Sequence, residues 1–412
     1  MGTDWESIAR KIEEKETEVV RRNTGKIPYT AKGHVFDDRS ARRDICWWTN
    51  GFYGGILWQL YNSTHGEIFE KEARAVEEKL DTAMFDYNGM DHDAGFRWLP
   101  TSVAAYRLFK NPESKNRGLL AAEILAGRFN PNGNFIRAWN DWGDDRDTTG
   151  WAIIDCMMNL PILYWASEEL KDPRFKAIAM LHADTAMKAF IREDGSIKHI
   201  VGFDPATGEY LRDYGGQGYG EGSSWTRGQA WGLYGFTLSY LHTREKRYLD
   251  TAMKIADRFA ERIPADGLIP VDFDQPAEPD YKDSTAAAIA ACGFITLAQC
   301  LGGYEGHGDG SSVCKDSRQQ EPSPMSQVSS VSGMSPETVT GTSAVGRYMA
   351  AAETLLSALD EKDCDYDPSH DELLTRCTAA YHDKDHEFPI IYGDYYYIEA
   401  IWKLTGRELF IW

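Results

Sequence analysis

Positive charge is what this chain most lacks: 44 Lys and Arg stand against 64 Asp and Glu, a formal net charge of −20 over 412 residues. Nucleic acid and anionic membrane surfaces both attract a basic face, so the deficit argues against either as a main partner. Cysteine is scarce too. The seven are scattered and free of CxxC spacing, which argues against a disulfide framework or thiolate metal site and fits reduced thiols in a cytosol. The first residues lack the apolar core of a signal peptide, and no run reads as the roughly 18 apolar residues of a membrane span, so a cytoplasmic protein is expected. Strand signals are few. The glycines between Gly215 and Gly222 lack the order of a phosphate loop, and no strand precedes them.

What is present is apolar and aromatic: 42% hydrophobic and 12% aromatic residues, enough for a large core. Six segments open on a small or polar turn and run into an apolar helix: Trp48 to Tyr61, His92 to Leu108, Thr149 to Trp165, Trp225 to Leu241, Asp283 to Cys300 and Gly393 to Leu404. They are apolar on most faces and carry small residues, such as Gly54, Gly55 and Ala286 to Ala288, that let helices approach closely. Between them lie charge-rich helices, Ile68 to Met84, Asn116 to Phe129, Phe175 to Phe190 and Tyr248 to Arg262, whose apolar residues recur at three and four positions. Buried and amphipathic helices alternating in this way predict an all-α fold, an (α/α)6 barrel of six helical hairpins, as a single domain over residues 1–412. The polar stretch 303–346, with His307 and Cys314, breaks the pattern and is expected to be a flexible insertion, either a linker or a flap. The first twenty residues read as a helix that packs on the barrel or on a partner.

Loops at the starts of the inner helices gather the unusual residues: Trp47, Trp48, Asp91, His92, Asp93, Trp139, Trp142, His199, Gln217, Trp225, Arg227 and Tyr395. A pocket is expected there. In Trp151-Ala-Ile-Ile-Asp155-Cys-Met-Met-Asn159-Leu-Pro161, one carboxylate sits in an apolar helical run ahead of a proline kink. Burial of such a group disfavours its charged form and raises its pKa toward neutrality, which suits proton transfer; a structural anchor is the alternative. Asp91-His92-Asp93 stands at the mouth of another helix, where an Asp also serves as a cap. Adjacent residues seldom point at one ion, so a metal reading there is weak. In Trp225-Thr-Arg227-Gly-Gln-Ala-Trp231, the guanidinium suits a substrate carboxylate in fork geometry or pairing with an Asp. Tryptophans beside acids suit a carbohydrate site, since sugar rings present apolar faces as well as hydroxyls.

Trp48-Thr-Asn-Gly-Phe52, His92-Asp93-Ala-Gly-Phe96, Ile153 to Ser167, Gln217-Gly-Tyr219, Ser224 to Gly232, Asp283 to Ala288 and Gly393-Asp394-Tyr-Tyr396 together resemble the unsaturated glucuronyl hydrolases of glycoside hydrolase family 88. The resemblance runs from about residue 45 to the C-terminal end, apart from the insertion. It implies an (α/α)6-barrel glycosidase that hydrates the 4,5 double bond of the non-reducing-end unsaturated glucuronic acid in lyase-made oligosaccharides of glycosaminoglycan type, releasing the unsaturated uronic acid. By this resemblance Asp155 is the catalytic acid and base and Asp93 the second essential carboxylate. His92, His199, Gln217, Arg227 and Trp231 bind substrate, and Trp48, Trp139 and Trp225 line the sugar subsites. No cofactor and no metal are implied; the partner is a small unsaturated oligosaccharide, and a monomer or homodimer is expected. Alternatives are an unsaturated rhamnogalacturonyl hydrolase acting on pectin-derived disaccharides, a sugar 2-epimerase, or a non-catalytic glycan-binding barrel. The Asp residues at the two matching sites disfavour the epimerase, which is expected to use histidines. Lys384 and Arg376 are the cations near in sequence for a sulfated sugar, although the loop around Lys384 also reads as a solvated turn.

Overall fold

The computed structural model describes residues 3–140, 146–302 and 343–412. Helices dominate. In chain order they are α1 (Trp5–Arg22), α2 (Phe52–Thr64), α3 (Glu67–Leu80), α4 (Ala94–Trp98), α5 (Ala104–Phe109), α6 (Pro112–Ala126), α7 (Pro161–Leu170), α8 (Pro173–Ala189), α9 (Thr226–Thr243), α10 (Lys246–Glu261), α11 (Ser284–Leu301), α12 (Ala344–Lys362) and α13 (Ile391–Thr405). Short strands join them: β1 (Ala31–Lys32) with β2 (Val35–Phe36), β3 (Phe129–Asn130) with β4 (Phe135–Ile136), and a three-stranded antiparallel sheet of β5 (Trp151–Ile153), β6 (Ile200–Phe203) and β7 (Tyr210–Tyr214).

Local chemistry sets many of the helix ends. Side chains of Asp4, Asn111, Asp172, Asp283 and Ser343 accept backbone N–H groups at the starts of α1, α6, α8, α11 and α12. Pro112, Pro161 and Pro173 open α6, α7 and α8, where a missing N–H costs nothing. Packing then sorts the helices into two kinds. α9 and α11 are buried on nearly every face, whereas α3 and α10 bury one stripe each, in α10 Tyr248, Thr251, Ala252, Ile255, Ala256 and Phe259. Each large apolar side chain so buried stabilises the fold by roughly 1.5–3 kcal/mol. Among the described residues α9 packs on α11, α11 on α13 and α13 on α2; α2 meets the 99–103 stretch, α4 meets α7, and α7 returns to α9.

Several sequence expectations are corrected by the structure. Residues 149–165 are not one kinked helix: β5 gives way to a 3-10 turn over Ile154–Met158, and Pro161 starts α7 rather than bending it. The 92–108 segment is likewise divided, because Pro100 lies in a π-helical stretch, Leu99–Val103, between α4 and α5. The N-terminal helix packs on α13 and α3 through Ile8, Ile12, Val19 and Val20. The expected insertion runs too far, since Ser343 already caps α12; its residues 303–342, with His307 and Cys314, lie outside the described residues. Finally, α11 is long and apolar enough to cross a membrane, contrary to the sequence reading, but 89% of it is buried as a core helix.

Candidate active site

Strand pairing brings the first two site residues together. Ile153 of β5 faces Ile200 of β6, and the ladder continues as Ile154 N donates to His199 O at 3.1 Å. Asp155 and His199 therefore leave neighbouring strands side by side, with His199 Nε2 4.0 Å from Asp155 Oδ1. Cys156, Met157 and Met158 turn wholly into the core, while the Asp155 side chain keeps 13% exposure. Its Oδ1 has no hydrogen-bond partner. Burial first, and the Asp93 charge second, push the Asp155 carboxyl up to about 7, with Arg227 opposing.

Asp93 stands where α4 begins but does not cap it. Its Oδ1 instead accepts from Asn159 Nδ2 at 3.2 Å. Burial raises its pKa to about 6, offset by Arg97, the Asn159 hydrogen bond and Arg128. Asp91 is a brace: its Oδ1 accepts the Asp93 N–H at 2.9 Å and Arg97 Nη2 at 2.5 Å. That engagement occupies Asp91 and leaves this triplet poorly suited to hold a metal. His92 lies with Nε2 3.5 Å from Asp93 Oδ1, and burial lowers its pKa to about 3, so the ring is neutral. Trp139 meets it edge-on at 6.0 Å.

Asn159 carries a role that sequence reasoning missed. Its Oδ1 accepts the Phe96 N–H at 2.8 Å, which fixes the amide orientation and aims Nδ2 at Asp93 and, at 3.4 Å, at the Asp155 carbonyl. One side chain thus ties both carboxylate-bearing segments. The approach needs Gly95, because a Cβ there would lie 2.6 Å from Asn159 Cα. The available signal was a buried amide four residues beyond Asp155, which must find partners.

His199 is held by the glycine-rich loop. The Gln217 N–H donates to His199 Nδ1 at 2.9 Å, a shorter contact than the 3.3 Å to the Gly215 carbonyl at the same nitrogen, and it favours the neutral tautomer with its proton on Nε2, the nitrogen nearer Asp155. Burial depresses this imidazole's pKa to about 3. Gly216 makes the contact possible: its φ is +57°, and an added Cβ would lie 2.1 Å from His199 Nδ1. The Gln217 side chain turns away, donating to Ala379 O at 2.8 Å, while its carbonyl accepts the Tyr381 N–H at 2.9 Å.

Trp225 packs on His199 at 4.1 Å between ring centroids. Arg227 lies over Trp225 at 4.5 Å, but its guanidinium is taken up by Asp283 at 2.6 Å and by the carbonyls of Thr378 and Ala379. Of its two sequence readings, pairing with an Asp is the arrangement present, and its positive charge acts on Asp155 through space. Trp231, fully buried, packs on Phe96 at 5.2 Å and Tyr396 at 5.4 Å. Half-buried Trp48 contacts Tyr392 at 4.8 Å and Phe96 at 5.5 Å, so Phe96, noted in sequence only as a motif end, and Tyr392, unnoticed there, connect the tryptophans. Tyr395 belongs to the core, between Phe52 and Trp412, rather than to a loop end. Trp47 is partly exposed against Tyr29, and Trp142 lies outside the described residues.

Asp155 Oδ1, His92 Nδ1, His199 Nε2, Trp225 Nε1 and Trp231 Nε1 are all buried without a partner in the protein. Unmatched polar atoms of Asp155, His92, His199 and Trp225 beside two carboxyls are the polarity a hydroxylated ligand would satisfy. Burial raises both carboxyls toward neutrality, Asp155 to about 7 and Asp93 to about 6, so the pair as a unit gives up its protons near neutral pH. Such a pair can donate a proton from one side and stabilise positive charge from the other.

Comparison with known proteins agrees. Residues 13–297 match the model of Glycosyl Hydrolase Family 88. The unsaturated glucuronyl hydrolase of Bacillus sp. (strain GL1) is 33% identical over 92% of each chain. The unsaturated chondroitin disaccharide hydrolase of Streptococcus pyogenes serotype M1 is 31% identical over 89% of this chain and 83% of its own. The crystal structure of the Bacillus sp. GL1 unsaturated glucuronyl hydrolase, described as responsible for the degradation of glycosaminoglycan, superposes with a TM-score of 0.80 at 29% identity, covering 97% of this chain and 96% of that one. On the family match, the identity over most of both chains and the shared, mostly helical fold, the chain belongs to glycoside hydrolase family 88, the unsaturated glucuronyl hydrolase family, and is an enzyme of that family.

Proposed function

We propose that the chain hydrates the 4,5 double bond of a non-reducing-end unsaturated glucuronic acid in lyase-made oligosaccharides of glycosaminoglycan type. The observation that carries this reading is the pairing of Asp155, raised to about 7, with Asp93, raised to about 6, on segments tied by Asn159. The Asp155 proton adds to C4 of the double bond, and the cation at C5 is stabilised by the ring oxygen and by ionised Asp93. Water adds to C5 and returns its proton to Asp155. The resulting hemiketal opens at its bond to the ring oxygen, and the C1 hemiacetal expels the aglycone as an alcohol. Neutral His199 and His92 offer hydrogen bonds to the sugar, while Trp48, Trp139 and Trp225 frame its apolar faces; fully buried Trp231, expected from sequence to bind substrate, instead backs Phe96 from the core. Gln217 and Arg227 shape the wall through the 378–381 segment.

The closed succession of helix contacts, from α2 round to α13 and back, supports an (α/α)6 barrel as the scaffold. The described cysteines are all unpaired, which suits a cytoplasmic setting. Arg376 is taken up by Asp363, so exposed Lys384 is the better placed of the two cations considered for a sulfated aglycone.

The test follows the ultraviolet absorbance of the conjugated uronate in lyase-made chondroitin, hyaluronan and heparin disaccharides mixed with wild type and Asp155→Asn. Loss of absorbance with wild type alone supports the reading. Consumption of a rhamnogalacturonan disaccharide alone transfers the chemistry to the pectin-type substrate, and no consumption of any of them overturns it.

A further inference from the structure

A second cluster of chemically capable side chains forms where the β1–β2 hairpin meets the segment before α13. Its two-residue turn, Gly33-His34, has φ of +59° and +65°, both in the left-handed region, with Lys32 paired to Val35. This is the geometry of a type I′ turn, whose second position favours glycine. A histidine there accepts backbone strain that glycine would avoid. Its ring stacks on His370, with centroids 3.6 Å apart and planes 11° from parallel.

Each imidazole has its own carboxylate. His34 Nδ1 lies 2.6 Å from Glu372 Oε1, and His370 Nδ1 lies 2.7 Å from Asp365 Oδ2. Metal-ligating histidines characteristically give one ring N–H to a carboxylate, which leaves the other nitrogen with a lone pair, and Glu372 can do this for His34. The Glu372 side chain is only 4% exposed, and its Oε2 has no partner. One ligand atom from each of His34, Asp365 and His370 lies within 4.8 Å of the others. Two ligands around a tetrahedral ion at 2.0–2.1 Å stand about 3.3 Å apart, within reach of side-chain rotation. The side chains of both histidines are accessible, at 53% and 29%, so an ion can enter. The site is anchored on both sides: Asp371 N donates to His34 O at 3.1 Å, Phe36 N donates to Asp371 Oδ2 at 3.0 Å, and Lys15 lies 3.7 Å from Asp365 Oδ1.

We propose that His34, His370 and Asp365 bind a divalent transition-metal ion of the zinc type, with Glu372 orienting His34. The ion fastens the β1–β2 hairpin to the 365–372 segment. Two imidazoles and a carboxylate suit zinc, nickel or copper rather than the hard cations magnesium and calcium. This site is independent of the hydrolase reading.

The experiment titrates chelator-stripped full-length protein with zinc chloride by calorimetry, in a non-coordinating, mildly alkaline buffer, and measures Tm with and without zinc. A single saturable site and a zinc-dependent rise in Tm are expected, with affinity falling at least about tenfold in His34→Gln, His370→Gln and Asp365→Asn. His34→Gly separates ligation from folding, because glycine suits the turn. It should stay folded without zinc, the relaxed turn offsetting in part the lost Glu372 hydrogen bond, and lose the zinc-dependent rise. Absence of saturable binding, unchanged affinity in the histidine variants, or a persisting rise in His34→Gly overturns the proposal.

Discussion

The pairs Asp93 with Asp155 and Glu16 with Asp394 are both buried and raised, yet of these two only the first is arranged for chemistry. Asp93 and Asp155 titrate near 6 and 7; Glu16 on α1 and Asp394 on α13 are pushed to about 8 and 7. Burial is the first cause in all four. The difference lies in what surrounds them. Asp394 accepts the Leu373 and Leu374 backbone N–H groups, and Lys15 and Arg22 lie near enough to Glu16 to oppose its shift. Asp155 instead keeps an oxygen without a partner, beside unmatched nitrogens of His199, His92 and Trp225. A raised pKa therefore marks burial, and leftover hydrogen-bonding capacity beside it marks a place for substrate.

The contrast is broken most severely at Asp155. Asp155→Asn retains the shape but cannot deliver a proton, and kcat should fall about 10³-fold with little change in Tm, read by the loss of uronate absorbance. Asp93→Asn should lower kcat about 10²-fold and leave KM closer to wild type, since it removes a charge that matters most as the cation forms. With both residues intact, kcat/KM should peak between about pH 6 and 7, falling on the acid side as Asp93 protonates and on the alkaline side as Asp155 ionises.

Asn159→Ala tests the tie between the two. Removing a hydrogen bond that lowers the Asp93 pKa should move the acid limb of that profile upward by about one pH unit, whereas a purely structural role would lower Tm and leave the limb in place. The smallest catalytic effect is expected at the other pair. The folded-state pKa of Glu16 is raised from 4.5 to about 8, so the folded chain keeps a proton that the unfolded chain releases. That contribution is complete below pH 4.5 and is lost as pH rises through 8. Glu16→Gln should therefore leave kcat unchanged and flatten the decline in Tm between those limits; an equally steep decline would remove Glu16 from the account.

Sequence pattern revealed the inner helices because α9 and α11 are apolar on nearly all sides, and it revealed Asp93 and Asp155 because acids stand out in such settings. It failed where long-range partners decide. Asp283 takes up Arg227 from another helix start, and nothing in the local spacing near Trp225 announces it. The neutral tautomer of His199 depends on the Gln217 backbone N–H and on Gly216 leaving room. Residues 149–165 carry a continuous apolar signal whether strand, 3-10 turn or helix, so periodicity could not show the strand that sets Asp155 beside His199.

The 378–381 segment meets the site through main-chain atoms: the carbonyls of Thr378 and Ala379 receive Arg227, Ala379 also receives Gln217, and the Tyr381 N–H reaches the Gln217 carbonyl. Those bonds do not read which side chains follow. His382 is tied back to the Tyr219 carbonyl at 2.7 Å, but Asp383, Lys384 and Asp385 are exposed just beyond it, so mutation can drift at those three without moving the acid pair. The acid pair and the loop beyond it are in that sense separately built: the exposed side chains there can be exchanged while the main-chain bonds to Arg227 and Gln217 stay in place.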